Sequence, residues 1–144
     1  VINKKLYLGN GTAGEVGSIY INEKIFESIA SGSASIYLAN KLGLKNISVY
    51  ELESLAKKGN EKAIQVYNII GHNLGIGLAN LSYILAPQAF IIGGGFSRVK
   101  FIYPQAIKAF HSFYKINPKP KIIKAKFGDD AGLMGASLLP KIRI

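Results

Sequence analysis

The pattern of hydrophobic and polar positions predicts two helices in the middle of the chain. Ser48 and Glu51 stand three residues apart before an apolar run, which is the pattern of a capping box and predicts a helix over Val49–Lys58. Asn60 is placed to cap the longer helix that follows. That helix must end before Pro87, because the residue that precedes a proline is displaced from helical backbone angles.

Helices and strands are predicted to alternate over the rest of the chain. One helix starts near Glu27 and runs to about Leu42, another begins near Pro104 at a favourable first position, and a short one covers Ala131–Leu139. Gln88–Ile92 is apolar on both sides, which is typical of a central buried strand in a largely parallel sheet. This alternation indicates an α/β layered fold. The other predicted strands are Val1–Leu8, Ile19–Ile21 and Lys121–Phe127.

The composition indicates a single domain that buries part of its surface against something else. The 144 residues fit one domain, and 49% of them are hydrophobic whereas only 18% are charged. The long helix Glu61–Ala86 is apolar on nearly every side. It must therefore be covered on several sides, by the sheet, by neighbouring helices or by a second copy of the chain.

Charge and cysteine content exclude several classes of function. The chain has no cysteine, so it can hold neither a disulfide framework nor a thiolate zinc site. No segment has the pattern of a signal peptide or a membrane span, and we predict a cytoplasmic protein without a membrane partner. The net charge of +10 would suit an anionic nucleotide or a phosphorylated product, but a general richness in Lys and Ile is the simpler explanation. Nucleic acid is not expected as a partner, because the lysines are scattered and no aromatic stacking platform accompanies them.

A triple glycine follows the predicted strand Gln88–Ile92. Gly93, Gly94 and Gly95 lack side chains, so main-chain N–H groups could come close to a flat base or a phosphate there. Ligands of open α/β sheets bind at the carboxyl ends of strands, which is where this turn lies. A purely structural turn explains the glycines equally well.

Two carboxylates stand in a pattern that suits a polar ligand. Glu15 lies in the small-residue loop Gly9–Ser18, and Glu27 lies in the first turn of a predicted helix. If they meet across one cleft, they could accept hydrogen bonds from sugar hydroxyls. The alternatives are a solvated loop residue and a charge that favours a helix start. Asp129 or Asp130 is interpreted as a helix cap rather than a metal ligand.

Taken together, four segments resemble the ROK family of repressors, open reading frames and sugar kinases. GNGTAGEVGS (Gly9–Ser18) is similar to the family's Gly-Glu-x-Gly-His element, and Glu27 in FESIASGSA is similar to the Glu of its Leu-Glu-x-x-x-Ser element. Both elements hold the sugar in that family. IIGGGFS (Ile91–Ser97) resembles the adenosine-binding turn, and GDDAGLMGA (Gly128–Ala136) resembles the closing helix.

The resemblance implies an actin-like ATPase (ribonuclease-H-like) fold and a role in phosphoryl transfer from ATP-Mg²⁺ to a hexose or related sugar. Residues 1–144 would be the C-terminal lobe, with Glu15, Glu27 and Ser18 binding the sugar and Gly93, Gly94 and Gly95 binding adenosine. The family's catalytic Asp lies in an N-terminal lobe that this chain lacks, so residues 1–144 alone are not expected to phosphorylate sugar. A homodimer formed through this lobe is also implied.

The sequence departs from the family pattern at its zinc site. Ser18 stands where the family has His, and the cysteine-rich zinc loop is absent, so no zinc or other metal ligand is predicted in this chain. Two other functions remain open: the sugar-sensing lobe of a ROK transcriptional repressor, and an interaction module without a ligand. The missing zinc loop favours the kinase, because sugar-responsive repressors usually keep it.

Overall fold

The computed structural model describes Lys5 and residues 7–138, apart from the side chains of Asp129 and Ala131. The helices in this range are α1 (Phe26–Ala30), α2 (Gly32–Lys41), α3 (Val49–Lys57), α4 (Glu61–Leu85), α5 (Ile102–Phe113) and α6 (Ala131–Leu138). The strands are β1 (Tyr20–Ile21), β2 (Lys24–Ile25), β3 (Ala89–Ile92) and β4 (Lys121–Lys124). Short 3-10 turns cover Val16–Ser18, Gly95–Arg98 and Gly128–Asp130. Most of the predicted strand Val1–Leu8, and the last residue of the predicted helix Ala131–Leu139, lie outside the described residues.

Local capping hydrogen bonds define the two middle helices, as predicted. The Glu51 N–H donates to Ser48 Oγ over 3.2 Å, and the Ser48 N–H donates to Glu51 Oε2 over 2.8 Å, which completes the capping box of α3. Asn60 Oδ1 accepts from the Ala63 N–H over 3.0 Å and caps α4. Ala86 then takes a left-handed conformation with φ 42°, and this ends α4 before Pro87.

The structure corrects two details of the predicted helices. The predicted helix from Glu27 to Leu42 is interrupted at Ser31, whose backbone is extended with φ −121° and ψ 176°. Ser31 Oγ instead accepts from the Ala34 N–H over 3.2 Å and begins α2. Pro104 occupies the third position of α5 rather than the first. The third position is tolerated because the N–H groups of a first turn have no partner within the helix.

The sheet is smaller and more exposed than the sequence predicts. β3 and β4 run parallel, with Ala89 opposite Lys121 and Ile92 opposite Lys124, so β4 ends before Phe127. Among the described residues β3 pairs only with β4, and Ile91 is 71% exposed. The prediction that Gln88–Ile92 is a central strand buried on both faces is therefore wrong for this part of the chain. The β1–β2 hairpin around Asn22 and Glu23 was not predicted from the sequence. Both of its turn residues have positive φ.

The core lies on both sides of α4, which confirms the prediction that this helix is covered on several sides. One cluster joins α4 to α2, α3 and the start of α5, and a second joins it to α5 and the inner face of the β3–β4 sheet. Leu74 packs against both clusters. Gly71 and Gly75 let the α5 backbone come close, since a Cβ at Gly75 would lie 2.9 Å from the Phe110 nitrogen. No described helix has the length and apolar character needed to cross a membrane.

Candidate functional site

The structure brings the loop that contains Glu15 against the first turn of α1. Glu15 directly precedes the 3-10 turn Val16–Ser18, and this turn packs on α1, in which Glu27 is the second residue. A Cβ at Gly17 would lie 3.5 Å from Glu27 Cβ and 3.6 Å from Glu27 Oε2. Both carboxylate side chains and Ser18 are exposed. The predicted sugar-binding residues thus lie on contacting elements, and the meeting of the two carboxylates stays a prediction.

Two residues of α4 hold α1 in place. The ring of Phe26, which is only 7% exposed, occupies the space left by the missing side chain of Gly77. At the other end of α1, Asn73 Nδ2 donates to the Ile29 carbonyl over 2.9 Å. Neither residue was predicted from the sequence. The one available signal was Gly77 itself, because a glycine in the interior of a helix lowers helix propensity and its presence often has a packing reason.

The triple glycine lies at the carboxyl end of β3, as the sequence predicts. Gly93 follows the last residue of the strand, Gly94 has φ 78° and ψ 171°, and Gly95 begins the next 3-10 turn. All three are exposed, and nothing lies within 4 Å of a Cβ built at Gly94. The main chain is therefore accessible to a ligand at this turn. The 3-10 turn Gly128–Asp130, which leads into α6, packs against the 3-10 turn Gly95–Arg98.

Phe96 connects the glycine turn to the start of α2. A Cβ at Gly32 would lie 3.4 Å from Phe96 Cδ2, so these residues are in contact. Phe96 also packs beside Tyr67, with ring centroids 6.3 Å apart. The Tyr103 hydroxyl donates to the Ser97 carbonyl over 2.6 Å, and burial raises the pKa of Tyr103. The glycine turn thus rests on the buried ring of Tyr67 and the half-buried rings of Phe96 and Tyr103, and it adjoins the break between α1 and α2.

The interior below the turn contains two polar atoms without partners among the described residues, Tyr67 Oη and Ser97 Oγ. Burial, with a smaller effect of the Glu53 carboxylate, raises the pKa of Tyr67. Tyr67 therefore remains a neutral phenol across the physiological range. It packs flat against Phe101 with ring centroids 5.9 Å apart, which indicates a structural role below the turn.

An open cleft of about 640 Å³ lies between α1, α2 and α4. This cleft was not predicted from the sequence. Lys24 and Lys41 contribute positive charge to its walls, and Lys41 Nζ lies 4.7 Å from the centre of the Tyr37 ring. Asn73, which donates to the Ile29 carbonyl of α1, lines the same cleft, so one side of this residue faces open space.

The described residues contain no cluster of three or more His, Asp or Glu side chains that could hold a metal ion. His72 packs edge-on against Phe113, with ring centroids 6.1 Å apart, and His111 packs beside Phe110. The Asp129 side chain, which was a predicted helix cap, lies outside the described residues. The Asp130 N–H donates to the Phe127 carbonyl over 3.0 Å.

Sequence comparisons relate this chain to known proteins. The profile of the ROK family matches residues 1–142. An N-acetyl-D-glucosamine kinase of Haemophilus influenzae (strain 86-028NP) is 29% identical, over 96% of this chain and 53% of its own length. A second N-acetyl-D-glucosamine kinase, of Vibrio atlanticus (strain LGP32), is 36% identical over 62% of this chain and 30% of its own length.

Solved structures agree with the sequence comparisons. A ROK family glucokinase from Streptomyces griseus, in complex with glucose and AMPPNP, superposes with a TM-score of 0.80 at 26% identity over 90% of this chain and 51% of its own. The ROK hexokinase of Thermus thermophilus gives a TM-score of 0.77 at 25% identity over 89% and 48%. The chain spans about half the length of the curated relatives it matches. This chain therefore belongs to the ROK family and has the α/β, actin-like ATPase fold of the family's sugar kinases.

Proposed function

We propose that residues 1–144 form the C-terminal, sugar- and adenosine-binding lobe of a cytoplasmic, ATP-dependent sugar kinase. The main observation behind the proposal is the contact between Gly32 and Phe96. This contact places the break between α1 and α2 next to the glycine turn. A kinase needs its two substrates close together, because phosphoryl transfer depends mainly on positioning and charge stabilisation. The N-terminal lobe, outside this chain, would supply the catalytic base.

The sugar end of the proposed site consists of Glu15, Glu27 and Ser18. Ionised carboxylates are acceptors only, and their hydrogen bonds to hydroxyl groups are stronger than those between neutral groups. Glu15 and Glu27 are exposed, so their oxygens are accessible to a ligand. The relatives act on N-acetyl-D-glucosamine, and the Streptomyces structure holds glucose, which supports a hexose or an N-acetylated hexose as substrate.

The nucleotide end consists of Gly93, Gly94 and Gly95. The backbone angles of Gly94 are accessible almost only to glycine, and the open space beside it would let a flat base or a ribose approach the main chain. The AMPPNP in the Streptomyces structure supports ATP as the ligand. Mg²⁺ would enter with the nucleotide and neutralise phosphate charge, while the residues of this chain bind and orient the adenosine.

The test is ATP-dependent phosphorylation by the complete protein, with N-acetyl-D-glucosamine and glucose as first substrates. Glu15→Gln and Glu27→Gln keep the side-chain size and remove the charge. Each is expected to lower kcat/KM about 10- to 100-fold, since a hydrogen bond to a charged group contributes roughly 1.5–3 kcal/mol. Glu61→Gln is the control, because Glu61 is an exposed first-turn residue of α4.

Three results would contradict the proposal. They are wild-type kcat/KM in the Glu27→Gln variant, turnover of sugar by residues 1–144 alone, and sugar binding without any turnover by the complete protein. The last result would favour the sugar-sensing lobe of a repressor.

A further inference from the structure

The helix that carries Glu27 cannot fix its own orientation. α1 has only five residues, its N-cap Ile25 makes no side-chain capping bond, and the next residue, Ser31, is extended. Helices this short are not stable by themselves in water. The direction of Glu27 must therefore be set by the surfaces on which α1 packs.

α4 provides contacts at both ends of α1. Gly77 receives the Phe26 ring next to Glu27, and any side chain at position 77 would overlap that ring. Asn73 donates to the Ile29 carbonyl, which belongs to the last turn of α1, where carbonyl groups have no partner within the helix. Asn73 and Gly77 are four residues apart and so lie on the same face of α4.

Because of the open cleft, the position of α1 depends more strongly on its contacts with Asn73 and Gly77. The cleft lies between α1, α2 and α4, and both Ser28 and Ile29 line it. On that side α1 faces open space rather than packed side chains, so losing the Asn73 hydrogen bond would let α1 move.

We infer that Asn73 and Gly77 are positioning residues, which set the affinity for sugar by fixing the orientation of Glu27. The inference rests on the proposed function. Neither residue needs to touch the sugar: Gly77 is buried and Asn73 is half-buried below α1. Their effect on the sugar is therefore assigned to the position of α1.

The test compares Asn73→Ala with Asn40→Ala in the complete protein. Asn40 Nδ2 donates to the Ile36 carbonyl over 3.0 Å, so the control loses the same kind of hydrogen bond in α2, away from Glu27. Asn73→Ala is expected to raise the KM for sugar about 3- to 10-fold, the effect of losing one neutral hydrogen bond, with the KM for ATP unchanged. Asn40→Ala should leave both KM values at wild-type level.

A double-mutant cycle separates positioning from general stability. If Asn73 acts through Glu27, then Asn73→Ala added to Glu27→Gln should change the KM for sugar less than about twofold. Gly77→Ala should raise the KM for sugar at least as much as Asn73→Ala does. If the Gly77→Ala variant does not fold, the KM for sugar of Asn73→Ala still tests the inference.

Three outcomes overturn the inference while the proposed function stands: an unchanged KM for sugar in Asn73→Ala, equal rises in both KM values, or additive effects with Glu27→Gln. A wild-type protein that neither binds nor phosphorylates a hexose would overturn both.

Discussion

Gly93 and Gly94 are adjacent in the turn after β3, but only Gly94 has backbone angles that require glycine. Its φ of 78° and ψ of 171° fall in a region that other residues enter only under strain. At Gly93 a Cβ would lie 3.6 Å from Ala125 Cβ, which is an ordinary contact. The two positions therefore allow ligand approach and backbone conformation to be tested separately.

We predict that Gly94→Ala destabilises the fold by about 1–3 kcal/mol, whereas Gly93→Ala changes the free energy of unfolding by less than about 0.5 kcal/mol. In the complete protein, Gly93→Ala should nevertheless raise the KM for ATP, because a methyl group would stand between the main chain and the nucleotide. Thermal unfolding and the KM for each substrate are the measurements. A wild-type KM for ATP in Gly93→Ala would mean that the glycines only shape the turn and do not contribute to nucleotide binding.

At this scale the sequence is informative about the residues proposed to touch a ligand and silent about the residues that would support them. Glu15, Glu27 and the triple glycine were identified because they stand in short motifs. Asn73 was not, because its partner Ile29 lies 44 residues away and no local pattern connects them. The contact exists only once α1 has packed on α4.

Among the secondary-structure elements, those with local caps were predicted best. The hydrogen bonds that begin α3 and α4 join residues three apart, so they can be read directly from the sequence. The break at Ser31 was missed although its cap is equally local, since Ser31 Oγ accepts from the Ala34 N–H three residues on. The β1–β2 hairpin was missed because its turn is Asn22-Glu23, and glycine, the usual signal for positive φ, is absent.

The capping box of α3 should make part of the stability depend on pH. Hydrogen bonds from the Ser48 hydroxyl and N–H lower the pKa of Glu51 below its ordinary value of 4.5. A depressed pKa in the folded state contributes stability above the unfolded pKa, and this stability is lost as the pH falls through the folded pKa. We therefore expect the difference in Tm between wild type and Glu51→Gln to be present at pH 7 and to disappear in strong acid.

Asn60→Ala provides the control for this prediction. It removes the cap of α4, which has no titratable acceptor, and should lower stability by about 1 kcal/mol at either pH. An equal Tm difference for Glu51→Gln at both pH values would contradict the role given to the carboxylate.

At the scale of the whole molecule, several large apolar side chains are exposed in the described part of the chain. Ile91 and Ile123 are opposite each other in the β3–β4 register and are 71% and 45% exposed. Leu133 on α6 is 73% exposed. Exposed apolar surface of this kind marks contact sites, and the chain spans about half the length of its relatives.

We predict that the complete protein covers this surface and forms a homodimer. Ile91→Lys should lower the Tm of the complete protein or shift its sedimentation toward monomer, depending on whether the other lobe or a second copy covers β3. Tyr20→Lys, at a side chain that is 70% exposed on the β1–β2 hairpin, should do neither. A strict monomer at high concentration would contradict the dimer.

The glycines of α4 also affect the order in which the chain folds. Each of Gly71, Gly75 and Gly77 weakens the helix by roughly 1 kcal/mol relative to alanine, so α4 by itself is a poor helix in water. The surface that compensates for Gly71 and Gly75 is α5, which begins only at Ile102. During synthesis α4 is therefore expected to stay loosely formed until α5 has left the ribosome, and the two helices then to fold together as one cooperative unit.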